Sequence, residues 1–203
     1  MQTTRALRAA ATAASLIVLA GCSPQPVATP TPTADGPRSS PTYTCTPAGG
    51  GDPYPCTGQQ YTDQQRQQVL VDQAESVYKE YFNEASRLYR VGGASQATSA
   101  LTATTADAYL AAKQNEFASL KAKGLKAVGG NIKLAKMTPN PDATDKGADV
   151  GLDTCIDATT VQLKSGDQVV SNSGFAVAGT VYLKRQGNDL KIVDAEERQV
   201  ANC

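Results

Sequence analysis

Residues 150–157 have the sequence Val-Gly-Leu-Asp-Thr-Cys-Ile-Asp, and they decide the fold class. Apolar or β-branched side chains occupy every second position of this stretch, which is the two-residue period of a β-strand with one apolar and one polar face. The same period returns at the apolar positions Ile132 and Leu134; Phe175, Val177, Val181 and Leu183; and Leu190 and Ile192. Strands of this kind predict an antiparallel sheet that is covered on one side.

The segment before these strands has helical periodicity instead. Apolar residues, many of them aromatic, recur every three or four positions from Leu70 to Leu88. Thr62 and Gln65 fit a capping box that starts this helix, and Gly92-Gly93 ends it.

A second helix is predicted from Thr104, whose hydroxyl caps it together with Asp107, to Gly124. A short helical turn is predicted before it, near residues 99–102. Because the helices precede the strands, the fold class is α+β, with N-terminal helices packed on the concave face of a curved, cone-like antiparallel sheet.

Residues 22–60 have a different composition, rich in Pro, Thr and Gly and almost without large apolar residues. Such a stretch cannot bury enough apolar surface to offset the entropy lost on ordering. We therefore predict a disordered, extended linker. The domain organisation that follows is a signal peptide at 1–21, a lipidated cysteine and linker at 22–60, and the α+β domain at 61–203.

The first residues have the pattern of a secretion signal. Arg5 and Arg8 precede an uncharged run over residues 9–20, which is shorter than the ~20 apolar residues that span a bilayer. The sequence Leu19-Ala20-Gly21-Cys22 resembles the lipobox of bacterial lipoproteins. This resemblance implies cleavage between Gly21 and Cys22, a diacylglyceryl group on Cys22 that carries fatty acids such as palmitate, and a place on the extracytoplasmic face of the bacterial cell membrane. The alternative is an ordinary secretion signal with a chance cysteine.

Four cysteines remain, namely Cys45, Cys56, Cys155 and Cys203. An even number in an exported protein predicts two disulfide bonds, for which three pairings exist. We predict the pair Cys45–Cys56, which closes a Gly/Pro-rich loop, and the pair Cys155–Cys203, which pins the C-terminus to a strand. Without a histidine or a Cys-x-x-Cys pair, these residues do not predict a zinc site.

The order of two helices followed by antiparallel strands resembles the nuclear transport factor 2-like cone. More narrowly, the lipobox, the Thr-Pro linker, the strand at 150–157, the segment Gly-Asn-Asp-Leu-Lys-Ile-Val at 187–193 and Cys203 resemble small secreted lipoproteins of high-GC Gram-positive bacteria and their phages. The last strand of that group usually has a tryptophan where this chain has Leu190. The resemblance implies a fold and not a chemistry.

Composition excludes several functions. The chain has 19 basic and 19 acidic residues; without residues 1–21, which contain two arginines and no acid, 17 basic residues stand against 19 acidic ones. With no long basic stretch, no nucleic-acid partner is predicted.

The chain has no histidine, which removes the usual nucleophile–base pairs of enzymes. The carboxylates of Asp149, Asp153 and Asp157 are predicted to face solvent rather than to act as acid and base or to hold calcium. We therefore predict no enzyme, no cofactor and no metal.

Two functions remain. The first is a non-catalytic interaction or structural module of the cell envelope, which docks another envelope protein. The alternative is a module that binds a small hydrophobic molecule or lipid in the cone pocket, lined by Tyr81, Phe117, Phe175 and Val177. A contiguous void above a few hundred Å3 would favour the binding module, and a filled cone with an exposed apolar patch would favour the interaction module.

Overall fold

The computed structural model describes residues 41–47, 50–171 and 174–203. The predicted signal peptide, Gly21, Cys22 and most of the predicted linker lie outside the described residues. The elements are β1 Tyr43–Cys45, β2 Tyr54–Cys56, α1 Gly58–Val91, α2 Ser99–Thr104, α3 Asp107–Ala122, β3 Leu125–Val128, β4 Lys133–Asn140, a 3₁₀ helix Pro141–Lys146, β5 Val150–Asp157, β6 Gln162–Ser165, β7 Gln168–Ser171, β8 Ala176–Gln186 and β9 Asp189–Val200. The fold is mixed helix and sheet, and the strands pair antiparallel in all three described sheets, so the predicted α+β class is confirmed.

Helix α1 begins four residues before the predicted cap at Thr62. Its capping box is formed by Thr57 and Gln60: the Gln60 N–H donates to the Thr57 hydroxyl at 3.2 Å, and the Thr57 N–H donates to the Gln60 side-chain carbonyl at 2.9 Å. The Thr62 hydroxyl instead donates to the Gly58 carbonyl within the helix, at 2.9 Å. The predicted cap was therefore wrong, because two Thr-x-x-Gln sequences lie in succession and spacing alone does not separate them.

The hairpin of β1 and β2 lies within the segment predicted as linker. Tyr43 pairs with Cys56 across the hairpin, and a disulfide joins Cys45 to Cys56. The ring of Tyr43 packs at 5.3 Å from that of Tyr61 on α1. The folded unit thus extends N-terminally past the start of α1.

The predicted helix start at Thr104 was also wrong. Thr104 is the last residue of α2, where its hydroxyl donates to the Ala100 carbonyl at 2.8 Å. The N-cap of α2 is Thr98, whose hydroxyl accepts the Leu101 N–H. Helix α3 begins at Asp107 without a side-chain cap. This stretch contains several threonines that could cap a helix, and Thr104 is buried within α2 instead of capping α3.

The four-stranded sheet has the order β4-β5-β8-β9, and it contains the four alternating segments that the sequence predicted. Its second face is partly covered as well. There the 3₁₀ helix brings Ala143 so close to Gly151 that a Cβ at position 151 would lie 2.2 Å from it. The prediction that only one face of the sheet is covered was therefore incomplete.

The disulfide from Cys155 to Cys203 is the second predicted pair.

A second sheet, of order β3-β6-β7, was not predicted. Each of its strands has four residues, and lysine or glutamine occupies at least one position in each. Strands this short and polar lack a clear two-residue period.

The main core lies between the helices and the four-stranded sheet. Its buried residues are Val71, Ala74, Tyr78, Tyr81, Ala85, Leu88, Leu101, Tyr109, Phe117, Val150, Leu152, Val181, Leu183, Leu190 and Ile192. Gly92 caps α1 in the left-handed conformation, as predicted, and Gly93 lets the end of α1 approach the backbone of α3. No helix in the described ranges has the length and apolar character needed to cross a membrane.

Candidate functional site

A small cavity lies where α1 and α3 meet the four-stranded sheet. Its volume is about 70 Å3, which is room for a few water molecules. Tyr81, Phe175 and Val177, three of the predicted pocket residues, line this cavity. Phe117 does not, since it is 1% exposed and packs edge-on against Tyr89 with ring centres 5.5 Å apart. The other lining residues are Phe82, Ala85, Ser86, Tyr89, Lys113, Ile132, Ile156 and Glu197.

A lysine between two carboxylates forms the polar wall of this cavity. The Lys113 ammonium on α3 lies 3.1 Å from a Glu116 carboxylate oxygen and 3.8 Å from one of Glu197 on β9. It also lies 5.4 Å from the centre of the Tyr109 ring, within reach of a cation–π contact. The Lys113 side chain is only 15% exposed. Of these charged groups, Lys113 and Glu197 line the cavity, and Glu116 pairs with Lys113 from outside the lining.

The sequence analysis missed Lys113, although its position contained a signal. Lys113 is four residues after Tyr109 and four before Phe117, both of which belong to the buried stripe of α3. Residues four apart share one face of a helix. A lysine at that position must therefore lie on the buried face and find a partner there. Glu197 carried no comparable signal, because its facing depends on the register of β9 against β8.

Four tyrosines surround the charged wall. The Tyr109 hydroxyl donates to the Tyr81 hydroxyl at 2.9 Å, and the Tyr89 hydroxyl donates to Glu116. The rings of Tyr78 and Tyr81 lie 5.8 Å apart. The buried hydroxyl of Tyr78 has no hydrogen-bond partner among the described residues. In the aromatic stripe predicted on α1, the hydroxyls of Tyr81 and Tyr89 therefore join a hydrogen-bond network. The rings of the stripe pack in the core.

The environment perturbs the titration of these groups. Burial raises the pKa of Tyr78, Tyr81, Tyr89 and Tyr109 above the usual tyrosine value. Burial by itself would lower the pKa of Lys113, but the neighbouring Tyr81, Glu116 and Glu197 raise it above the usual lysine value overall. Lys113 is therefore an ammonium ion at neutral pH. It is unsuited to act as an amine nucleophile, for which a lowered pKa is needed.

The raised pKa values predict an alkaline unfolding transition. A group whose pKa is higher in the folded state stabilises the fold below its unfolded pKa and loses that contribution as pH rises. Stability should thus be constant near neutral pH and fall above about pH 10, where unfolded tyrosine and lysine titrate. Ultraviolet absorbance at rising pH should show that, of the eight tyrosines, the four of this network ionise late, together with the loss of circular dichroism.

Tyr81→Phe/Tyr109→Phe provides the matched comparison. This variant should lose two of the late ionisations and keep the others unchanged. Eight tyrosines that titrate together near the ordinary value, with the fold intact, would contradict the buried network.

The three predicted surface aspartates each accept structural hydrogen bonds. Asp153 accepts from the Thr180 hydroxyl at 2.6 Å and from the Asn140 amide at 2.8 Å. Asp149 accepts from the Arg185 N–H at 2.7 Å, and Asp157 caps the turn that follows β5. Within the described ranges, no cluster of three or more His, Cys, Asp or Glu side chains could hold a metal ion.

A wider groove lies outside the core, between the hairpin, α1 and the start of β5. Its volume is about 590 Å3, and residues on its walls include Tyr54, Gln67, Gln68 and Asn140. Part of this wall is fixed by a contact in which the Gln64 amide donates to the Thr46 carbonyl. The groove is more open than the cavity beside Lys113, and its lining is mixed, with apolar residues beside the glutamine and asparagine side chains.

Comparison of the chain with models of protein families, with curated proteins and with solved structures finds no match in any of the three.

Proposed function

We propose that the chain is a bacterial lipoprotein, cleaved before Cys22, lipidated there and held on the extracytoplasmic face of the cell membrane. The sequence Leu19-Ala20-Gly21-Cys22 supports this proposal. The two disulfides support it independently, because such bonds persist mainly in oxidising compartments outside the cytosol. The small lipoproteins of high-GC Gram-positive bacteria and their phages are the proposed relatives.

The domain is a nuclear transport factor 2-like cone in this proposal. Support comes from the packing of α1 and α3 on one face of the four-stranded sheet. Further support comes from irregularities in strand register at Leu134/Lys136 and at Tyr182/Leu183, since bulges of this kind bend a sheet.

The proposed role of the domain is that of a non-catalytic interaction or structural module of the cell envelope. One observation carries this conclusion: the interior is filled, and the cavity of about 70 Å3 falls well below the ~300–1,000 Å3 of ordinary ligand pockets. The protonated Lys113, held between carboxylates, adds support for a non-catalytic role. Partners are then expected to meet the outer surface.

The second candidate is a module for a small molecule or lipid at the mouth of the cone. The observation in its favour is the composition of the cavity, which combines apolar walls from Ile156, Phe175 and Val177 with the charges of Lys113 and Glu197. A ligand would have to displace part of the wall to enter. Phe175 is part of that wall.

The native mass of protein extracted in mild detergent tests both candidates. A mass equal to residues 22–203 plus a diacylglyceryl group, less the hydrogens lost in two disulfides, is expected, and Cys22→Ser is the control that should lack the lipid. A small molecule that leaves on denaturation would favour the second candidate. A complex with one protein of defined stoichiometry would favour the first. A chain that keeps residues 1–21 and has no lipid would contradict the lipoprotein proposal.

A further inference from the structure

Three of the large apolar side chains most exposed to solvent lie in two short segments. Val91 at the end of α1 is 55% exposed, and Val169 and Val170 on β7 are 42% and 52% exposed. Strand β7 pairs only with β6 among the described strands, so it forms an edge of the small sheet. Apolar side chains at a sheet edge are usually covered or replaced by charged residues in monomeric proteins.

Lysines lie beside Val169 on the small sheet. Lys126 on β3 lies directly opposite Lys164 on β6, and Lys164 lies opposite Val169 on β7, so the three share one face of the sheet. The end of α3 adds Lys121 and Lys123, because the Ser165 hydroxyl at the end of β6 donates to the Lys123 carbonyl at 3.2 Å. We call Val91, Lys121, Lys123, Lys126, Lys164 and Val169 the basic patch.

The end of α1, which carries Val91, lies close to β3. A Cβ placed on its neighbour Gly92 would lie 3.7 Å from the Lys126 Cβ. Residues 121–128 and 162–171 together contain four lysines and a single acid, Asp167. None of the four lysines forms an ion pair among the described residues. The patch is therefore strongly positive in a chain whose formal net charge is zero.

Folding stability does not account for this arrangement. Two like charges directly opposite each other on neighbouring strands destabilise the strand pair. Exposed valines at a sheet edge favour aggregation. Both features become favourable when the patch meets a surface that is anionic and has an apolar layer just beneath. Lysines gain about 1 kcal/mol each near an anionic bilayer, and small apolar side chains enter the boundary between headgroups and acyl chains.

We propose that the basic patch binds the surface of an anionic phospholipid bilayer directly, in addition to any lipid on Cys22. The length of the chain permits both contacts on one membrane. Residues 22–41 span at most ~65 Å when fully extended, and α1, with 34 residues, separates the hairpin from the patch by ~50 Å. The reach depends on the proposed anchor at Cys22, whereas the charge of the patch does not.

Vesicle binding of residues 41–203, which form one compact unit, tests the proposal without the lipid anchor. Vesicles that contain phosphatidylglycerol should bind this protein, and vesicles of pure phosphatidylcholine should not. Lys126→Gln/Lys164→Gln should weaken binding by about 25-fold, or about fivefold for each lysine. The control Lys136→Gln/Lys184→Gln removes the same charge from exposed positions on β4 and β8 and should have little effect.

Val169→Ser distinguishes a bilayer from other polyanions. This change should weaken binding to the anionic vesicles and leave binding to soluble DNA, used as a polyanion without an apolar layer, unaffected. Equal binding to both kinds of vesicle, an equal loss in both lysine pairs, or DNA binding as strong as vesicle binding would overturn the proposal. The protein in this experiment lacks Cys22, so neither result bears on the lipoprotein proposal, which is tested separately by the native mass.

Discussion

Replacing Cys155 and Cys203 together with alanine is expected to lower the free energy of unfolding by about 4 kcal/mol. The disulfide joins residues 48 positions apart, and in the chain-entropy model a closed loop of that length restricts the unfolded chain by about this amount. Urea unfolding followed by circular dichroism, under non-reducing conditions, measures the effect.

The second disulfide supplies the comparison. Cys45 and Cys56 are 11 positions apart, so Cys45→Ala/Cys56→Ala should cost only about 3 kcal/mol in the same model. The Cys155–Cys203 bond also holds the last residue of the chain against β5, and its loss should release the end of β9 to faster hydrogen exchange. A larger loss of stability from the hairpin pair than from the C-terminal pair would contradict the loop-length explanation.

Gly93→Ala is expected to lower the free energy of unfolding by at least about 3 kcal/mol. Gly93 has φ +82°, and a Cβ there would lie 2.1 Å from the Phe117 carbonyl oxygen and 2.9 Å from the Lys121 nitrogen. The left-handed conformation alone costs an L-residue about 1–2 kcal/mol, and backbone atoms, unlike a flexible side chain, cannot move aside. The ends of α1 and α3 must therefore separate. Thermal and urea unfolding of the variant measure the loss.

Gly187→Ala separates conformational strain from the clash. Gly187 has φ +66° in the turn between β8 and β9, and no atom lies within 4 Å of a Cβ placed there. This control should cost only about 1 kcal/mol. Similar losses at both positions would show that the close approach of α1 to α3 contributes nothing.

The period of apolar residues predicted the elements that touch the main core. The four strands of the large sheet each have several apolar positions on one face, and Gly92-Gly93 marks the end of α1 through a conformation that glycine adopts readily. Cap positions were predicted less well, because Thr57, Thr62, Thr98 and Thr104 all have suitable side chains. Which threonine caps a helix depends on the contacts that the rest of the fold makes with it.

The small sheet and the charged wall of the cavity show where local pattern is insufficient. Strand β6 contains Gln162, Lys164 and Ser165, and only its pairing with β3 and β7 makes it a strand. Lys113 and Glu197 are distant in sequence, and they meet because β9 places Glu197 opposite Gly179, on the face that α3 covers. Tertiary register decides such a contact, and a single sequence contains no record of it.

The crosslinked hairpin determines how the domain would respond to mechanical load. A pull on the chain from its N-terminal side first reaches β1, which pairs with β2, and at Cys45 the disulfide passes the force to Cys56. Residues 46–55 then bear no tension, and the next element in line is the capped first turn of α1 at Gly58. Extension under force should therefore omit the contour length of that loop. Beyond the hairpin, such a load would be borne by α1 and by the sheet against which it packs.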